Sequence, residues 1–97
     1  MAKAVYNGKV IAESEETLSI EGLDFFPRAT VNMTYLTRST TRTSCPWRGI
    51  ATYYHVEVDE KIETDAAFSY EAPKKRASRL KDHIAFWKGV ETDEAPH

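Results

Sequence analysis

Cys45-Pro46-Trp47-Arg48-Gly49-Ile50-Ala51-Thr52-Tyr53-Tyr54-His55-Val56-Glu57-Val58 is the stretch whose reading decides the fold. Pro46 fixes its own φ and keeps Cys45 out of the helical region, while Gly49 permits a φ that Trp47 or Arg48 would resist. A turn is therefore expected at 45–49. The residues after it are β-branched and aromatic, which predicts a strand over 51–58. Alternation puts Thr52, Tyr54, Val56 and Val58 on one face and Ala51, Tyr53, His55 and Glu57 on the other.

Upstream, residues 4–12 read as a hairpin around Asn7-Gly8, the strongest two-residue turn signal of its kind. Thr17-Leu18-Ser19-Ile20 alternates, with Leu18 and Ile20 inward. Glu21 to Asp24 turns the chain, and Phe25-Phe26-Pro27 anchors the edge of the core, with Pro27 ending the strand. Arg28 to Asn32 suits a short helical turn and Met33 to Thr37 a strand. Arg38 to Ser44 is polar and fits either an exposed β arm or a loop.

Downstream, Asp59-Glu60 turns, Lys61 to Glu63 begins the return, and Ala66 to Tyr70 is a short strand. Pro73 breaks the sheet pattern. Lys74 to Lys81 reads as the single helix, about two turns long, with Ala77 and Leu80 facing the body. His83 to Trp87 is the last strand, with Ile84 and Phe86 on one face and His83, Ala85 and Trp87 on the other. The acidic tail from Glu91 to His97 reads as frayed. The result is one domain over 1–97, mainly β and antiparallel, with seven to nine strands and one short C-terminal helix.

Composition narrows the function classes. A net charge of −2 gives no general attraction to nucleic acid. No apolar run reaches the ~18 residues of a membrane span. The chain starts directly into a strand pattern, and its one cysteine excludes an internal disulfide and suits a reducing compartment, so a cytoplasmic location is expected.

Five blocks in this order resemble the DUF427 family, a domain of unknown function. They are the opening Ala4-Val5-Tyr6-Asn7-Gly8-Lys9-Val10-Ile11-Ala12-Glu13-Ser14; Phe25-Phe26-Pro27; Cys45-Pro46-Trp47-Arg48-Gly49-x-Ala51-x-Tyr53-Tyr54; Ala67-Phe68-Ser69-Tyr70-Glu71-Ala72-Pro73; and Ile84-Ala85-Phe86-Trp87. The resemblance implies an Mss4-like β-tent. Several proteins of that fold hold a four-cysteine zinc. Cys45 stands alone here, so no structural zinc is expected.

His83 sits between a basic segment and an apolar strand, where a neutral imidazole can ligate a metal; a surface or edge histidine is the commoner reading of the spacing alone. The resemblance sharpens this. Some small DUF427 members of similar length are dimers that bind haem through a histidine near the last strand, and His83 stands at the matching position, where many other members carry Tyr. One histidine per chain then supplies both axial ligands across a two-fold axis. On this reading His83 is the iron ligand, Phe86 and Trp87 offer apolar surface, and Arg76, Arg79 or Lys81 pair the propionates. The implied role is non-enzymatic: haem or iron sensing, carriage, or regulation of tetrapyrrole metabolism. Many relatives carry His where this chain has Asp24, so that position offers no second ligand.

Another function class is an enzyme or binder of a nucleotide or small anion centred on the Cys45–Gly49 turn, using Arg48 and either Tyr53 or Tyr54; the Cys45 thiol is a candidate there, although a small apolar residue packed in the turn is the favoured reading of it. A divalent-metal site at His55, Glu57 and Asp59 is a further candidate, since alternation turns these side chains to one side. The polar face of an antiparallel strand accounts for the same three residues.

Overall fold

The computed structural model describes residues 1–94, which fold into nine strands in two antiparallel sheets. The smaller sheet has the order β2-β1-β9, with β1 at Ala2–Tyr6, β2 at Lys9–Ser14 and β9 at Glu91–Glu94. The larger has the order β3-β4-β8-β7-β6-β5, with β3 at Leu18–Ile20, β4 at Leu23–Pro27, β5 at Leu36–Cys45, β6 at Gly49–Val58, β7 at Lys61–Ser69 and β8 at His83–Phe86.

Three hairpins turn in two residues that both have positive φ: Asn7-Gly8 (49° and 76°), Glu21-Gly22 (52° and 81°) and Asp59-Glu60 (50° and 69°). This sense of turn matches the right-handed twist of paired strands. The fourth hairpin, β5–β6, closes through Pro46-Trp47-Arg48 with Cys45 paired to Gly49.

The six-stranded sheet is covered on both faces. Phe26, Ile84, Phe86, Tyr54, Val56 and Val58 pack with Ala2, Ala4, Tyr6 and Ile11 of the small sheet in one core. Phe25, Ala51, Phe68, Tyr70 and Ala85 form a second core on the opposite face, roofed by Ala77 and Leu80. Adjacent Phe25 and Phe26, each fully buried, supply one core apiece because successive strand side chains point oppositely. The faces expected of the strand 51–58 hold: Tyr54, Val56 and Val58 lie in one core and Ala51 and Tyr53 in the other. In β2 the register shifts against β1, so consecutive Ile11 and Ala12 are both buried.

Three local expectations change, and one left open is decided. Met33–Tyr35 is a 3₁₀ turn rather than strand, because the Asn32 side chain accepts the Thr34 N–H at 3.2 Å; the strand starts at Leu36. The polar run after it is the β arm, not a loop. The helical segment is 3₁₀, spanning Lys75–Leu80, with Ala77 out of helical geometry (φ −116°, ψ 20°). Two α-turns would be too short to hold themselves, and the Lys74 N-cap has no side-chain oxygen; docking of Ala77 and Leu80 sets the shape instead. Finally, Glu91–Glu94 is not frayed but pairs with β1, using backbone bonds that need no apolar side chains. The remainder of that tail, 95–97, lies outside the described residues.

Candidate functional site

His83 opens β8 opposite Pro27, the last residue of β4. Just beyond that pair, the Arg28 N–H donates to the Asp82 carbonyl at 2.7 Å, which holds the 28–30 turn against the entry to β8. His83 Nδ1 lies 2.8 Å from the Lys81 carbonyl oxygen. A carbonyl only accepts, so Nδ1 carries the hydrogen and the free lone pair belongs to Nε2. The half-buried ring lines an open depression of about 680 Å³ with Pro27, Arg28, Ala29, Val31, Met33 and Asp82. Its walls are mostly apolar, with one guanidinium, from Arg28, and one carboxylate, from Asp82.

The other residues assigned from sequence lie elsewhere. Phe86 is buried in the first core, edge-on to Phe26. Trp87 packs on Phe68 and Tyr53, and its indole N–H donates to the Asp65 carbonyl at 2.6 Å. Arg76 and Arg79 line a separate depression of about 210 Å³ with Trp47, Arg48, Ile20 and Leu80. Lys81 meets His83 through its backbone carbonyl. Arg28, which does share the His83 depression, has no motif around it; its place follows from the β4–β8 register.

The turn at 45–49 is fastened to the segment before the 3₁₀ helix. The Lys74 N–H donates to the Arg48 carbonyl at 2.8 Å, and Lys74 Nζ donates to the Pro46 carbonyl at 2.8 Å. Gly49 has φ +112°, and a Cβ there would sit 3.4 Å from both the Ala72 oxygen and the Lys74 nitrogen. Arg48 pairs with Glu21 at 2.6 Å, and Tyr70, followed by Glu21, holds its guanidinium protonated still more firmly than usual. Cys45 is a free, partly buried thiol packed against the second core.

His55 does not converge with Glu57 and Asp59. Its Nδ1 accepts the backbone N–H of Asp65 at 3.1 Å. Among the described residues no group of three or more His, Cys, Asp or Glu side chains is arranged to hold a metal ion.

A family model described as a domain of unknown function (DUF427) matches residues 1–95, and the chain belongs to that family. No curated protein matches the chain.

Proposed function

We propose that this DUF427 protein is a cytoplasmic, non-enzymatic haem binder in which His83 from each of two chains ligates one iron. The observation that carries the reading is the 2.8 Å bond from His83 Nδ1–H to the Lys81 carbonyl. Metal-binding histidines ordinarily donate their second nitrogen in this way, which fixes the tautomer and strengthens the ligating nitrogen. The depression beside the ring suits a flat apolar macrocycle: Pro27, Ala29, Val31 and Met33 offer contact, and Arg28 offers charge to a propionate. His83 is the one imidazole lining it among the described residues, and a second chain related by two-fold symmetry supplies the matching ligand. Haem held by two histidines has both axial positions filled, which serves electron transfer, sensing or carriage and leaves no open position for substrate. The biological role would then be haem or iron sensing, carriage, or control of tetrapyrrole metabolism.

The test is an absorption titration of the purified chain with haemin in both oxidation states, alongside the His83→Ala variant. The expected result is sharp low-spin bands saturating at one haem per two chains, lost in His83→Ala while the far-UV spectrum is kept. Low-spin bands that survive in the variant, or saturation at one haem per chain, would overturn the assignment.

A further inference from the structure

The depression beside Trp47 shares no lining residue with the one at His83. Residues 42–48 and 74–81 carry seven Lys and Arg side chains and no carboxylate, in a chain whose net charge is −2. The two segments are held together by the Lys74 bonds to Arg48 and Pro46. Two carboxylates reach in from outside: Glu21 engages Arg48, and Glu71 lines a neighbouring depression with Arg42 and Lys74. Arg76 and Arg79 have no carboxylate partner among the described residues. So two guanidinium groups line the depression without a carboxylate partner among the described residues.

The same place exposes the least buried large apolar side chain of the described residues. Trp47 is 64% exposed, and the Arg76 guanidinium stands 5.1 Å from its ring centre. Exposing an indole costs solvation, which the cation–π contact with Arg76 offsets only in part, and the guanidinium groups without carboxylate partners repel each other. A bare phosphate would answer the arginines and leave the indole in water; a neutral aromatic would do the reverse. A ligand that joins a planar ring to a phosphate answers both, the ring stacking on Trp47 and the phosphate taking Arg79 and Arg76. At about 210 Å³ the depression is smaller than the ~300–1,000 Å³ that encloses a drug-sized ligand, so it suits one ring system with the phosphate lying across the rim. The floor is apolar, from Ile20, Ala77 and Leu80. Bonds to the carbonyls on either side hold the Trp47 backbone before any ligand arrives, which limits the ordering cost of binding to the side chain.

We propose that the Trp47–Arg76–Arg79 depression is a binding site for a free nucleoside phosphate. The test is a ¹H–¹⁵N NMR titration of the full chain with ADP, and separately with adenosine, inorganic pyrophosphate, a short oligodeoxythymidylate and a tetraglutamate peptide. The expected result is a saturable shift of the Trp47 indole and Arg79 side-chain N–H signals with a Kd of about 1 mM or below. Adenosine and pyrophosphate should each bind about tenfold more weakly, and Trp47→Ala and Arg79→Ala should each weaken ADP by about tenfold, the effect of one stacked base or one charge-assisted contact. Both side chains are exposed, so the amide signals of the two cores should not move in either variant. Failure to saturate with ADP overturns the proposal, as does pyrophosphate binding as tightly as ADP, or an unchanged affinity in Trp47→Ala. Tighter binding of the oligonucleotide or of the peptide than of ADP would assign the site to a macromolecule and overturn it as well. None of these outcomes depends on haem.

Discussion

The backbone N–H of Asp65 donates to Nδ1 of His55 across the β6–β7 pair, at 3.1 Å. This bond closes a bulge. Between Tyr54 and Val56, β6 advances two residues while β7 advances four, from Ala67 to Glu63. Asp65 occupies the bulge with φ +53°. Its carboxylate accepts the Thr41 hydroxyl at 2.7 Å, its carbonyl accepts the Trp87 indole, and Lys88 Nζ donates to the neighbouring Thr64 carbonyl at 3.0 Å. Strands β5, β6, β7 and the end of β8 are thus joined through one residue.

Asp65→Ala should therefore cost more than a surface substitution. It removes the carboxylate contacts and forces a β-carbon with no polar side chain into positive φ, about 2–3 kcal/mol together. In a chain of this length that is a fall of roughly 10–20 °C in Tm. Asp65→Gly should recover about 1 kcal/mol of the loss, because glycine adopts this φ freely. His55→Ala leaves the Asp65 N–H without its acceptor and should cost about 1–3 kcal/mol. Thermal melts of the three variants check the order; equal melting of Asp65→Ala and Asp65→Gly would refute the role given to φ.

Acid should weaken the fold through two carboxylates. The Ser39 hydroxyl, followed by that of Thr41, holds the Asp65 carboxyl below its ordinary range despite opposition from burial. Hydrogen bonds from Arg38, and then from Tyr54, hold Glu71 low against the same opposition. A depressed folded-state pKa means that the unfolded chain binds more protons, so stability rises with pH across that interval. The contribution is complete above about pH 5 and is lost as pH falls through the ordinary carboxylate range near 4 and below. The Arg38–Glu71 pair is partly exposed, so its share is small and should shrink further with salt. Melting temperature measured from pH 3 to 7 should rise with pH in the native chain and rise less steeply in Asp65→Asn and Glu71→Gln.

Gly49 and Gly8 both have positive φ but should differ in what they tolerate. At Gly8 (φ +76°) a Cβ would meet nothing within 4 Å, so Gly8→Ala costs only backbone strain, about 1 kcal/mol. At Gly49 the φ of +112° lies outside the left-handed well open to other residues, and a Cβ would come into contact with the Ala72 and Lys74 backbone. Gly49→Ala should cost about 2–3 kcal/mol and release the Lys74 bonds to the turn. Denaturant titration measures the first effect. A change in hydrogen exchange at the Lys74 amide, with the Gly8→Ala amide pattern unaltered there, measures the second.

The parts of this fold that were legible in the sequence are those with a local cause. Asn7-Gly8, the 45–49 turn and the alternation from Ala51 to Val58 each act through residues a few positions apart. What stayed hidden depends on distant partners. Nothing around Asp65 signals a bulge, because no glycine marks it and its positive φ is held by His55 and Thr41 from other strands. The strand at Glu91–Glu94 has an acidic sequence that promises no core, yet the free edge of β1 gives its backbone partners. The candidate site divides the same way. His83 stood out by its place in the chain, whereas Arg28 reaches its depression only through the pairing of Pro27 with His83.

That pairing separates the cations into two groups with different expected effects. Arg28 lines the depression beside His83, and Arg76 and Arg79 line the one beside Trp47. If haem sits against His83, Arg28→Ala should weaken haem binding about fivefold, the scale of one partly exposed ion pair, and the loss should diminish as salt screens it. The low-spin bands themselves should persist, because the iron ligand is untouched. The double variant Arg76→Ala/Arg79→Ala should leave haem affinity unchanged. Competition of each variant against apomyoglobin for haem checks the contrast. The reverse pattern, with affinity lost in the double variant and kept in Arg28→Ala, would place the propionates at the basic segment and the haem across a different face of β8.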